Sequence, residues 1–240
     1  MAFLVEDRPR QPFLRAPAVV IGLILLLVAA HVMRVVFFPQ WDAWWFHNYA
    51  LVPARYSQNY LAGHGVNPGS VFERALPFVT YMFLHGSYAH LAVNSGFLLA
   101  FGPIVARRFG SVLFLAFFFL CGIAGAVTHL AFNWGSEAPV IGASAAVSGL
   151  TAAGFRMLPV ISQQPNQELA RLWAPHVLVW TALVVAVNVF AGLTGLGTGG
   201  GVQLIAWQAH LGGYAAGLFL SRPFDLLAVR GGGRPFRPEA

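Results

Sequence analysis

The chain has little charge. Asp, Glu, Lys and Arg make up 9% of its 240 residues, against 58% hydrophobic ones. A soluble domain carries about 25% charged residues, so this balance excludes an ordinary water-soluble domain and implies a polytopic membrane protein. Lysine is absent; every basic residue is an arginine. The formal net charge of +6 raises the question of nucleic acid. The arginines fall between apolar spans, however, so membrane topology accounts for them and no nucleic-acid partner is expected. Cysteine is reduced to Cys121, inside an apolar run. That excludes an internal disulfide, and the residue reads as core packing. HExxH and CxxC are missing, and no acidic pair lies in an apolar span. A zinc metalloprotease and an intramembrane aspartyl protease therefore have no candidate residues, and neither a metal nor another cofactor is expected. No internal repeat is visible.

What is present is a series of apolar stretches, at about 17–38, 87–105, 112–132, 143–158, 173–193 and 202–221. A membrane-spanning helix needs roughly 20 such residues, which predicts an all-α membrane protein with six transmembrane helices. Arg8, Arg10 and Arg15 before the first run, and Ala29-Ala30 within it, imitate a signal peptide. The run is longer than a typical signal core, so it is expected to stay in the mature protein. Pro77 sets 76–86 apart from the second span. Arg107 and Arg108 separate spans two and three, and Pro159 and Pro165 bracket the loop after span four. The Gly-rich stretch before span six (195–201) reads as a lid hinge or as a plain flexible loop.

The arginines choose the orientation. One side receives Arg8, Arg10, Arg15, Arg107, Arg108, Arg156, Arg171, Arg222, Arg230, Arg234 and Arg237; the other receives Arg55 and Arg74. The positive-inside rule then puts both termini in the cytoplasm. Arg34, near the end of span one, is expected to snorkel outward. The resulting organisation is a cytoplasmic segment 1–16, a membrane domain 17–222 with an outer loop 39–75, and an Arg-rich cytoplasmic tail 223–240. Trp41, Trp44, Trp45, Phe46, Tyr49, Tyr56 and Tyr60 crowd the outer loop, and such rings favour the membrane–water interface.

Span four is short. From Ala143 to Leu158 it rises roughly 24 Å at 1.5 Å per residue, against a hydrocarbon core of about 30 Å. With Arg156 at the cytoplasmic end, its start must lie below the outer surface, and the segment before it must dip inward. Irregular backbone at that depth is tolerated where it is protein-covered or lines a wet cavity. Ser144 opens this helix, in Gly142-Ala143-Ser144-Ala145-Ala146-Val147-Ser148-Gly149. A hydroxyl there could cap the helix or aid packing. With a base beside it, it becomes a nucleophile, and the helix N-terminus offers N–H groups to an oxyanion. The G-x-S-x-G pattern fails at Ala146 and no strand precedes the serine, which excludes an α/β-hydrolase.

A base is available in span six. His210 shares a helix face with Ala206, Gly213 and Gly217. Gly213 and Gly217 form a GxxxG pair that lets a neighbouring backbone approach closely, and Gly142, Ala143, Ala145, Ala146, Gly149, Ala152 and Ala153 offer an equally small face. In span two, His90 and Asn94 are one helical turn apart. They could clamp helices together or donate hydrogen bonds to a developing oxyanion. His31, His129 and His176 lie near span ends, and His47 and His64 in the outer loop; these read as bland.

Taken together, the GAS serine opening span four, the His followed by GxxxG in span six, and the HxxxN of span two resemble the rhomboid family of intramembrane serine proteases. The likeness covers about 80–223 and includes Thr80 and the run Phe83-Leu84-His85-Gly86-Ser87. It implies a six-helix rhomboid-like bundle with a short fourth helix starting inside the membrane. It further implies Ser144 as nucleophile, His210 as general base, and His90, Asn94 and the Ser144 N–H as oxyanion hole, with Gly142, Ser148, Gly213 and Gly217 in support. Its substrates would be transmembrane proteins in a lipid bilayer. The expected location is a bacterial inner membrane, with the site open to the outside.

Three departures from the family pattern stand out. Leu76-Pro77 stands where many relatives have Trp-Arg. Ala145 replaces a Gly, and Ser148 replaces a Tyr that stacks under the catalytic ring in some members. Another group must then hold His210, and Ser148 is a candidate through a hydrogen bond. The alternative functions are a catalytically inactive rhomboid-like protein that binds membrane helices, and a transporter or channel. The first usually lacks the Ser or the His. The second needs polar groups in the inner halves of the spans, where this chain has few.

Overall fold

A computed structural model describes residues 16–65, 67–162, 168–194 and 206–230, with backbone alone for 159–162. The expectations for the N-terminal segment up to residue 15, the Gly-rich stretch 195–201 and the tail beyond Arg230 lie outside the described residues.

The apolar run after Pro17 forms α1 (Ala18–Val32), which ends in a π-turn at Met33–Phe37. The outer loop is a chain of short helices: α2 (Asp42–Tyr49), α3 (Gln58–His64) and α4 (Val71–Ala75). Ser70 and Glu73 form a capping box that starts α4. Pro77 opens the separate α5 (Pro77–Thr80), followed by a 3₁₀ turn at Tyr81–Phe83. Then come α6 (Tyr88–Phe109), α7 (Ser111–Phe132), α8 (Ser144–Ser162), α9 (Pro175–Thr194) and α10 (Trp207–Arg230). Four of these (α1 with its π-turn, α6, α7 and α9) are long and apolar enough to cross a membrane by length and composition. Among the described residues there is no strand; Leu51 and Val140 make one isolated antiparallel bridge. This is an all-α membrane fold.

Helices α7, α8 and α10 form the centre, and small residues let them touch backbone to backbone. A Cβ on Gly217 would lie 2.2 Å from the Gly149 carbonyl oxygen, and one on Gly213 would lie 2.0 Å from that of Ala145. Gly125 of α7 meets the Ala145 methyl and the Ala209 carbonyl as closely. Phe114, Phe117 and Phe118 fill the space between α7 and its neighbours and are fully buried. Helices α6 and α1 pack outside this core, with Val20 against Gly102. In α9 the buried residue is Val177; Val184 packs partly buried against Phe155 and Tyr214 and Trp180 stacks on Phe155, while Leu178, Val187 and Phe190 are exposed.

The outer loop is joined to the segments that carry the site. Leu51 and Val140 exchange backbone hydrogen bonds at 3.1 and 2.8 Å, and Ala54 N–H donates to the Ser136 carbonyl at 2.8 Å. Gly142 N–H donates to the Tyr81 carbonyl at 2.9 Å. Thr80 Oγ1 donates to the Tyr49 carbonyl at 2.9 Å. The end of the irregular descent from α7 to α8, from Val140 to Ala143, is thus buried by protein, whereas Trp134, Glu137 and Pro139 before it are exposed.

Several arginines and prolines behave differently from their sequence reading. Arg34 does not snorkel outward. It is 4% exposed, lies 4.7 Å from the Phe46 ring centroid, and donates to the Asp42 carboxylate and the His85 carbonyl. Arg156 is also 4% exposed. Its guanidinium donates to the carbonyls of Ala170 (2.9 Å) and Leu218 (2.7 Å) and to Ser221 Oγ (2.7 Å). It ties α8 to the middle of α10 and to the segment before α9 rather than standing free at a surface. Arg108 pairs with Asp225 through both carboxylate oxygens, at 2.5 and 3.0 Å. Helix α8 passes through Pro159 and α10 through Pro223, so helix continues into the segment read as tail. Proline is tolerated inside membrane helices when neighbouring groups re-satisfy the freed carbonyls.

Candidate active site

The site is assembled by the starts of three helices. Ser87 Oγ accepts from the His90 backbone N–H at 3.1 Å and so begins α6. That fixes His90 in the first turn and Asn94 one turn further. Ser144 is the first residue of α8, with Ala143 capping it by accepting the Val147 N–H at 2.9 Å. His210 lies in the first turn of α10, its N–H directed to the Ala206 carbonyl at 3.3 Å.

Ser144 and His210 meet. Ser144 Oγ lies 2.7 Å from His210 Nε2, a normal length for a hydroxyl donating to an imidazole nitrogen. The contact follows from the backbone seam between α8 and α10, since Ala145 sits against Gly213 just beyond the pair.

His90 and Asn94 converge on the same corner through Gly142. Gly142 has φ of 108°, a conformation open to glycine. A Cβ built there would sit 2.6 Å from His90 Nε2 and 3.4 Å from Asn94 Nδ2. The missing side chain leaves a hollow facing two nitrogen atoms, two residues before Ser144. Asn94 is 3% exposed, and its Nδ2 has no hydrogen-bond partner. An unsatisfied amide donor in a buried place is costly unless something arrives to accept from it. The His85 ring lies 5.1 Å from that of His90, and the Arg34 guanidinium holds the His85 carbonyl. The approach to α6 is anchored in this way.

Ser148 is not the partner of the outer face of His210. Asn188 of α9 is: its Oδ1 lies 2.7 Å from His210 Nδ1, and its Nδ2 donates to the Val184 carbonyl at 2.8 Å. The sequence reading missed Asn188. The signal was there, a lone carboxamide in Val185-Ala186-Val187-Asn188-Val189-Phe190, because polar groups inside a membrane span are functional candidates by default.

The arrangement supplies a hydroxyl in contact with a base, the base in contact with an acceptor, and donors around a hollow beside the hydroxyl. Such a set can carry out nucleophilic acyl transfer.

The Rhomboid domain family model matches residues 73–224. The chain is similar to "Rhomboid protease GluP" of Bacillus subtilis (strain 168), with 29% identity over 148 residues, which are 62% of this chain and 26% of that protein. It is similar to "Rhomboid-like protease 3" of Toxoplasma gondii, with 27% identity over 143 residues, 59% of this chain and 49% of that protein. It is also similar to "RHOMBOID-like protein 5" of Arabidopsis thaliana, with 27% identity over 142 residues, 59% of this chain and 41% of that protein. The chain thus spans about a quarter to a half of the length of these relatives. With the family match extending over most of the membrane helices and over every residue of the Ser144–His210 corner, the chain belongs to the rhomboid family.

Proposed function

We propose that the protein is an intramembrane serine endopeptidase that hydrolyses peptide bonds in or near transmembrane segments of membrane proteins. The observation that carries this reading is the 2.7 Å contact between Ser144 Oγ and His210 Nε2. Ser144 Oγ attacks the scissile carbonyl carbon as its proton passes to His210 Nε2. The carbonyl oxygen becomes an oxyanion and accepts hydrogen bonds from His90, Asn94 and the Ser144 N–H, with Gly142 leaving room for it. Collapse breaks the C–N bond, and the imidazolium gives its proton to the leaving amine. Water then attacks the acyl carbon as His210 takes its proton, and the imidazolium returns that proton to Ser144 Oγ as the C–Oγ bond breaks and the acid leaves. A substrate helix must unwind locally first, because a helical carbonyl is already hydrogen-bonded and shielded.

All six long helices span the membrane in this reading. The arginine distribution supports an orientation with both termini and the segments 1–16 and 223–240 in the cytoplasm, the outer loop 39–75 outside, and the site open to the exterior. The experiment uses purified full-length protein in detergent with a single-span reporter protein, beside Ser144→Ala and His210→Ala. Cleavage by the wild type alone is expected; equal cleavage by all three removes the assignment.

A further inference from the structure

We propose that Asn188 is a positioning residue for His210, holding the imidazole in the tautomer that leaves Nε2 free to take the Ser144 proton. This rests on the protease reading of the same pair.

The local hydrogen bonds carry the inference. Asn188 Nδ2 donates to the Val184 carbonyl, one turn earlier on α9, at 2.8 Å. Turning the carboxamide over would set Oδ1 against that carbonyl oxygen, so the backbone of α9 decides which way the group faces. Oδ1 is thereby committed to His210 Nδ1, 2.7 Å away. An oxygen at that distance tolerates Nδ1 only as a donor, since two lone pairs would repel. In the neutral ring the proton therefore sits on Nδ1, and Nε2 offers a lone pair to Ser144 Oγ at 2.7 Å. The second ring nitrogen selects the tautomer of the first.

The same contact acts hardest where it matters. As Nε2 takes the serine proton the ring becomes cationic, and a hydrogen bond from a charged donor is about twice as strong as a neutral one. An interaction that strengthens on the way to the transition state raises kcat rather than lowering KM. Asn188 has no place for substrate contact in this argument; it acts through the ring alone.

Three substitutions test it in full-length protein: Asn188→Leu, Asn188→Ala and Asn188→Asp. The readouts are kcat and KM on the single-span reporter, the rate of Ser144 labelling by a fluorophosphonate probe, and thermal unfolding. Leu and Ala remove the acceptor. Both are expected to lower kcat and labelling by about 10- to 100-fold, the worth of one such hydrogen bond, with KM within about twofold. Asp keeps an acceptor oxygen toward Nδ1 and, with its second oxygen protonated and donating to the Val184 carbonyl, reproduces both bonds of Asn188, so it is expected to recover at least about tenfold over Leu. These shifts are read at a temperature where each variant is folded. Wild-type labelling by Asn188→Leu, a loss confined to KM, or an Asp variant as slow as the Leu one overturns the proposal. A wild-type protein that neither labels nor cleaves overturns the protease reading itself, a different result.

Discussion

Gly213→Ala probes the link between backbone packing and chemistry. The added Cβ would lie 2.0 Å from the Ala145 carbonyl oxygen, 2.6 Å from its carbon and 3.1 Å from its Cα. All three are main-chain atoms, so no side chain can rotate away. Against an ordinary contact of 3.4 Å, the deficit is about 1.4 Å, which α10 must absorb by moving off α8. Ser144 adjoins Ala145, and His210 lies one turn before Gly213, so the strain falls on the pair itself. Their 2.7 Å contact would open to about 4 Å, beyond hydrogen-bond range. Misplacing a catalytic group by about 1 Å costs about 10²-fold, and a general base contributes about 10²- to 10⁴-fold. The variant is therefore expected to lose at least about 100-fold in reporter cleavage and in fluorophosphonate labelling. Overpacking of this kind also costs about 1–3 kcal/mol of stability, so thermal unfolding is measured alongside, with rates taken well below the transition. Gly22→Ala on α1 is the control, because nothing lies within 4 Å of its added Cβ; it should keep full activity. A Gly213→Ala protein with near-wild-type rates, beside an active wild type, would show that the glycine seam does not set the distance between base and nucleophile.

Two further outcomes follow from groups outside the dyad. Arg156→Lys should destabilise the protein by about 2–4 kcal/mol in detergent unfolding, because a single ammonium cannot serve the Ala170 and Leu218 carbonyls and Ser221 from one position; a lysine variant that unfolds like the wild type would refute the clamp. In the capping box, Glu73 accepts from Ser70 N–H at 2.7 Å and from Ser70 Oγ at 2.9 Å. These bonds hold its carboxyl below the ordinary value of 4.5. A lowered carboxyl pKa means the cap's contribution is whole above the ordinary value and is lost as pH falls through the lowered one. Amide exchange in α4 should therefore show an acid-induced loss of protection that Glu73→Gln removes; an unchanged acid response in that variant would sink the assignment.

The residues that meet around Ser144 and His210 were legible because they are out of place. Ser144, His210, His90 and Asn94 are polar groups in apolar runs, and the small residues around Gly213 announce a close helix contact. Partners were harder to read. Asn188 stands out in its span, but nothing in the spacing of α9 and α10 says that its amide reaches His210 rather than another helix. Arg34 and Arg156 present a charge to the eye, and charge between spans reads as topology. Their actual partners include the carbonyls of His85, Ala170 and Leu218, and a main-chain carbonyl has no signature in the amino-acid alphabet. Pro159 reads as a helix stop because propensity is local, whereas the neighbouring helices that keep α8 going are remote in sequence.

The family match begins at residue 73, yet the bracing of the Ser144–His210 corner begins earlier. A guanidinium from the first helix grips the peptide that leads to His90, and Leu51 and Ala54 tether the strand of chain that descends to Ser144. The homology boundary is therefore not a mechanical one. A protein trimmed to its recognisable part would retain every reactive atom and lose the scaffolding poles that keep two of the three approaches to them in place.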